Sequence, residues 1–169
     1  VIKADLVATN GIVHIINKVI GLPTVVTFTT ADPNFSTLVS ALTRDDLTSD
    51  FVSLLSTDVT TDPAPFTVFA PINEAFNELL TELGITSLLD IDEPTLDAVL
   101  KHHVVGGANV LASDLTDNLT ITTLGGDVTA NSTGGASLTD SSGRVSEIIT
   151  VNIQANNGVI HAINKVILP

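Results

Sequence analysis

Two adjacent histidines, His102 and His103, are the side chains in this sequence best suited to chemistry. Imidazole binds Zn²⁺ and exchanges protons near neutral pH, so a metal-assisted hydrolase that uses both rings is one hypothesis. Neighbouring residues point to different faces of a strand or a helix end, however, which makes it awkward for both rings to reach one ion. The alternative is that His103 is buried, with its ring nitrogens bonded to the backbone or to a carboxyl group.

The other two histidines, His14 and His161, lie among Ile and Val in strand-like sequence, which favours packing over chemistry. The sequence has no Gly-x-Ser-x-Gly elbow, its Gly-Gly pairs match no phosphate-binding loop, and its acidic pairs do not follow the spacing of a calcium loop. We therefore expect no catalytic activity, no cofactor and no metal.

The charge of the chain restricts its partners. Asp and Glu number 19 against 6 Lys and Arg, which gives a formal net charge of -13. Such a chain repels phosphate backbones, so nucleic acid is excluded as a partner. The carboxylates are mostly spread singly, which indicates a solvated surface; a surface that attracts divalent cations or basic partners is the alternative. No apolar stretch approaches the ~20 residues of a membrane-spanning helix, and the absence of cysteine excludes disulfides.

The two ends of the chain carry the same segment. Residues 8–20 read ATNGIVHIINKVI and residues 155–167 read ANNGVIHAINKVI, at a constant offset of 147 positions. Because only the final segment is repeated, we interpret residues 1–23 as the tail of a preceding copy or a linker, and residues 24–169 as one whole domain. The sequence thus predicts a piece of a tandem array.

The elements that must position these residues change in type along the chain. Apolar residues at helical spacing dominate the first half, and β-branched stretches separated by Gly-Gly, Ser-Gly and Asn-Gly turns dominate after His103. This order predicts an α+β fold with antiparallel pairing in the second half. Helices are predicted at residues 35–42, 47–55, from the N-cap Asn73 to Gly84, and from Asp92 onward, with a buried strand at 66–70.

Four segments together resemble the fasciclin domain family. They are Asp32 to Leu38, Phe66 to Phe76, Leu100 to Val105 and Asn157 to Pro169, in the order and spacing of that family. One position departs from its pattern, since His102 stands where the family usually has Tyr. The resemblance implies a structural signature made of Phe66, Val68, Phe69, Asn73, Phe76, His103, Asn157, Gly158 and His161.

The resemblance also implies a fold and a function. It implies a compact α+β wedge and an extracellular, secreted or cell-surface module that mediates adhesion by binding proteins or glycans. Glycans could also be attached to the chain if its source is eukaryotic, because Asn-x-Ser/Thr sequons occur at Asn34, Asn118 and Asn131.

The apolar residues of the segment 1–23 lack a partner domain in this chain. We expect the segment either to fold back on its own unit or to associate with a second chain through strand exchange or edge pairing.

Overall fold

The computed structural model describes residues 2–15, 17 and 21–169. A separate two-stranded antiparallel hairpin comes first, formed by β1 (Lys3–Ala8) and β2 (Gly11–Ile15). The rest of the described chain contains five α-helices and a seven-stranded sheet. Helices precede most of the strands, so the predicted α+β fold is confirmed.

The helices lie in the first half of the chain. They are α1 (Val25–Ala31), α2 (Ser36–Leu42), α3 (Phe51–Leu55), α4 (Asn73–Leu83) and α5 (Glu93–His102), with single 3₁₀ turns at Pro33–Phe35, Leu88–Asp90 and Ala112–Asp114. The predicted stop signal works as expected, because Gly84 ends α4 with φ of +68°, a left-handed conformation that glycine adopts without strain. The Asp92 side chain caps α5 by accepting from the Thr95 N–H at 3.3 Å.

Two helix predictions need correction. The helix expected at residues 47–55 begins only at Phe51, because the Asp50 side chain accepts from the Ser53 N–H and starts the helix there. Asn73 is also not the N-cap of α4, since the helix begins at Asn73 itself and Ile72 is the capping position.

The seven strands run in the order β4-β3-β9-β8-β7-β6-β5. Their bounds are β3 (Phe66–Pro71), β4 (Val104–Gly106), β5 (Leu119–Thr122), β6 (Asp127–Asn131), β7 (Ser137–Thr139), β8 (Val145–Ala155) and β9 (Gly158–Ile163). The pairs from β5 to β9 are antiparallel, as predicted for the second half. The β3–β9 pair is parallel and joins the helical half to the end of the chain.

Apolar side chains fill two clusters, one against the helices and one under the second half of the sheet. The first includes Phe35, Phe51, Phe66 and Phe76, and the second includes Phe69, Ile121 and Ile163. Every residue of β3 and of β9 is buried. These two strands therefore form the centre of the molecule, and the helices and the remaining strands pack around them.

The N-terminal hairpin does not share this core. Its Val7, Ile12 and Val13 side chains are 84%, 61% and 53% exposed. The structure therefore does not show the N-terminal segment folded back on its own unit, which is one of the two outcomes expected from the sequence. Ile16, Val19 and Ile20, which the expectation also included, lie outside the described residues.

Candidate functional site

The histidine pair lies at the junction of α5 and β4. The His103 ring is 2% exposed; its Nδ1 donates to the Val99 carbonyl at 2.7 Å, and its Nε2 accepts from the Ile167 N–H at 3.0 Å. Burial lowers the pKa of His103 to about 4, so the ring is neutral at physiological pH. Both nitrogens are engaged, and the ring ties the last helix to the end of the chain.

His102 points elsewhere. Its Nδ1 donates to the Ala98 carbonyl at 2.9 Å, and the ring lies against Gly125 and Gly126. A Cβ on either glycine would collide with the imidazole, so the turn before β6 depends on having no side chain there.

The two rings do not form a metal site. His103 has no nitrogen left to bind an ion, and among residues 2–15, 17 and 21–169 no three His, Asp or Glu side chains are grouped to hold one. The geometry therefore gives no support to the metal-assisted hydrolase hypothesis.

The Phe66 to Phe76 segment supplies core side chains and one long-range cap. Phe66, Val68, Phe69 and Phe76 are all buried. The Asn73 side chain reaches across to the start of α2, where its Oδ1 accepts from the Thr37 N–H at 2.9 Å and its Nδ2 donates to the Pro33 carbonyl at 2.9 Å. Asn73 thus caps α2 rather than its own helix, because Phe35, the residue before α2, offers no side-chain acceptor.

Asn157 is a fully buried connector. Its Oδ1 accepts from the Val25 N–H at 3.0 Å, and its Nδ2 donates to the carbonyls of Leu55 and Thr57 at 2.8 and 2.9 Å. One side chain thereby links the start of α1 and the end of α3 to the turn before β9. Since all these groups are buried or half-buried, losing the amide would leave several of them without partners.

Gly158 and His161 place β9 against β3. A Cβ at Gly158 would collide with the Phe66 carbonyl, so the two backbones can approach only because the residue is glycine. The fully buried His161 ring stacks on Phe69 with centroids 5.7 Å apart, and its Nε2 donates to the Val110 carbonyl at 2.9 Å. Burial lowers the pKa of His161, which keeps this ring neutral.

The three sequons differ in accessibility. Asn34 and Asn118 are exposed, and Asn118 lies in a turn with φ of +61°. Asn131 is half-buried, and its amide donates to the Thr139 hydroxyl at 3.2 Å.

A surface cleft of about 480 Å³ lies between α2 and the segment 86–89, and five of the residues that line it are Ser or Thr. Ser36, Ser40 and Thr86 are exposed there. Arg44 lines the cleft floor, but its guanidinium is already bonded to Asp46 and to the Leu88 and Ile91 carbonyls. The cleft therefore presents Ser and Thr hydroxyls and an immobilised guanidinium at the surface.

The fold of this chain matches that of a solved structure. A pair of FAS1 domains from the insect cell adhesion molecule fasciclin I superimposes on this chain with a TM-score of 0.67 at 18% identity. The match covers 100% of this chain and 59% of that one, and it shows that the two share a fold. The fold is that of a FAS1 domain.

Sequence comparisons identify the family. The fasciclin domain model matches residues 33–169, and the chain belongs to this family. A protein of Synechocystis is 34% identical over 148 residues, covering 87% of this chain and 98% of its own length. A fasciclin-like arabinogalactan protein of Arthroderma benhamiae is 29% identical over 169 residues, and this chain spans only 36% of its length.

The insect protein whose solved structure matches this fold is described as a cell adhesion molecule. No helix in the described part of the chain is long and apolar enough to cross a membrane.

Proposed function

We propose that this chain is an extracellular adhesion or surface-display module that binds protein or glycan ligands. The observation that carries the proposal is membership of the fasciclin family together with the fold of a cell adhesion molecule. The net charge of -13 is compatible with a basic protein ligand or a neutral glycan and unfavourable for nucleic acid. The histidines that could have supported catalysis are used to hold the fold together.

The hydroxyl-lined cleft is the proposed place of contact. Glycan hydroxyls and peptide groups exchange hydrogen bonds with Ser and Thr side chains, and the nearby Leu89, which is 76% exposed, offers apolar surface beside them. A ligand seated there would contact α2 and the segment 86–89.

Replacing Ser40 by Trp tests this site. The indole would occupy the cleft, so we expect at least a tenfold weaker binding to whichever ligand a glycan and protein array identifies for the purified chain. Thr30→Trp is the matched control, because Thr30 is also an exposed helical hydroxyl residue bonded to the carbonyl four residues earlier. Equal binding by both variants would show that the ligand does not contact the cleft. An array on which the chain binds no ligand would contradict the adhesion proposal.

We also propose that residues 24–169 are one complete domain and that residues 1–23 are the tail of a preceding copy. The repeat at an offset of 147 positions supports this arrangement. The Synechocystis relative supports it too, because the match of 148 residues makes up nearly all of that protein and has the size of one such unit. The match to the Arthroderma protein covers all of this chain, including residues 1–23, which precede the family-model match.

A further inference from the structure

The N-terminal hairpin has the same geometry as the hairpin formed by β8 and β9. In β1–β2 the pairs are Lys3 with Ile15, Leu6 with Val13, Val7 with Ile12, and Ala8 with Gly11. Adding 147 to each number gives four pairs of the β8–β9 ladder: 150 with 162, 153 with 160, 154 with 159, and 155 with 158. The register shift falls at the same place in both hairpins.

An unusual backbone feature is also shared. Asp5 has φ of +55° and its counterpart Asn152 has φ of +58°. The N–H of Asp5 donates to Nδ1 of His14 at 3.2 Å, and the N–H of Asn152 donates to Nδ1 of His161 at 3.4 Å. The hairpin therefore adopts this irregular shape without any domain packed around it, which shows that its own sequence specifies the shape.

The residues that anchor β9 in the domain are present in the N-terminal hairpin. Asn10 and Gly11 correspond to Asn157 and Gly158, the buried connector and the site of close approach to β3. Apolar residues of β9 also have apolar counterparts in the N-terminal hairpin. Val13 corresponds to Ile160, yet Val13 is 53% exposed whereas Ile160 is fully buried. The hairpin thus carries several of the residues that anchor β9 in the domain, while its own apolar side chains are exposed.

Two side chains of the N-terminal hairpin are larger than their buried counterparts: Ile12 stands for Val159 with one more carbon, and Ile15 stands for Ala162 with three more. The domain has room for the larger of these two changes. Ile15 corresponds to Ala162, which is buried. A cavity of about 290 Å³ lies beside Ala162, lined by Phe35, Ile72 and Ile153 among others. A side chain three carbons larger can enter this space without overpacking the core.

We propose that residues 2–15 form an interchangeable closing hairpin, whose partner is a core of this same fold in a second copy of the chain. The proposal rests on the proposed tandem arrangement, in which residues 1–23 are the tail of the preceding copy and would close its core. We take the partner to be a second copy because, in the single chain, the hairpin lies outside the core of its own domain, with Val7 84% exposed.

Blocking the chain's own closing hairpin tests the proposal in the full-length protein. Gly158→Val places a side chain against the Phe66 carbonyl and excludes β8–β9 from its position. We expect this variant to keep a cooperative thermal melt and to become oligomeric in light scattering, because the N-terminal hairpin of one copy closes the core of another. Adding Gly11→Val should remove the cooperative melt, since both hairpins are then blocked.

Two controls make the comparison specific. Gly11→Val alone should melt as the wild type does, because a Cβ at Gly11 meets nothing within 4 Å in the single chain. Gly21→Val combined with Gly158→Val should stay folded and oligomeric, because Gly21 is equally unobstructed but lies outside the hairpin.

Three results would overturn the proposal: a Gly158→Val variant without a cooperative melt, one that is folded but monomeric at every concentration, or a double variant with Gly11→Val that melts like Gly158→Val. None of these results depends on adhesion, so the ligand array and the cleft variants test the proposed function separately.

Discussion

At the scale of single residues, the neutral His103 makes stability depend on pH. Its pKa is about 4 in the folded protein because the ring is buried, against an ordinary value of 6.5 in the unfolded chain. Below pH 6.5 the unfolded state binds the proton more readily, so stability is lost as the pH falls from about 6.5 to about 4. The ring should account for about 3 kcal/mol of this loss, and the lowered pKa of His161 acts in the same direction.

Thermal melts between pH 7.5 and 4 measure the effect. His103→Gln removes the titrating group while its amide can still offer a donor and an acceptor, so we expect a lower melting temperature at pH 7.5 but a flatter dependence on pH than in the wild type. Parallel curves for the two proteins would show that His103 does not carry the acid sensitivity.

At the scale of elements, Asn73 couples two helices that are far apart in sequence. Asn73→Ala leaves the Thr37 N–H and the Pro33 carbonyl without partners at the start of α2, which should cost roughly 1 to 2 kcal/mol of unfolding free energy. Chemical denaturation measures this cost. Asn77→Ala, at an exposed position of the same helix, should change stability by less than about 0.5 kcal/mol, because Ala favours a helix at least as well as Asn does. An equal loss in both variants would show that the bonds to the start of α2 are not the cause.

At the scale of the whole molecule, the domain should be independent of the segment before it. The β1–β2 hairpin is exposed and forms its own two-stranded sheet, so deleting residues 1–22 should leave the melting temperature of the domain within about 2 °C of the wild type. The deletion should also remove any self-association of the full chain, measured by light scattering. A large drop in the melting temperature would mean that the segment stabilises residues 24–169 directly.

The sequence alone determined the local features of this protein. Gly84 and Asp92 bound their helices as predicted, because caps depend on residues within one turn. The change from helical to β-branched patterns gave the α+β class, and the repeat marked the two hairpins, whose shared bulge is specified within each hairpin. The family segments indicated the fold because their order and spacing are specific to that family.

Only the tertiary structure decided which distant groups meet. The parallel pairing of β3 with β9, the cap that Asn73 provides for α2 and the bonds of Asn157 to α1 and α3 all join residues more than 30 positions apart. Local sequence patterns carry no signal for such contacts, since they depend on how the packed elements satisfy one another's buried polar groups. For the same reason, the sequence could predict that His103 is buried and that His161 packs in the core, but only the structure shows which backbone groups their ring nitrogens bond.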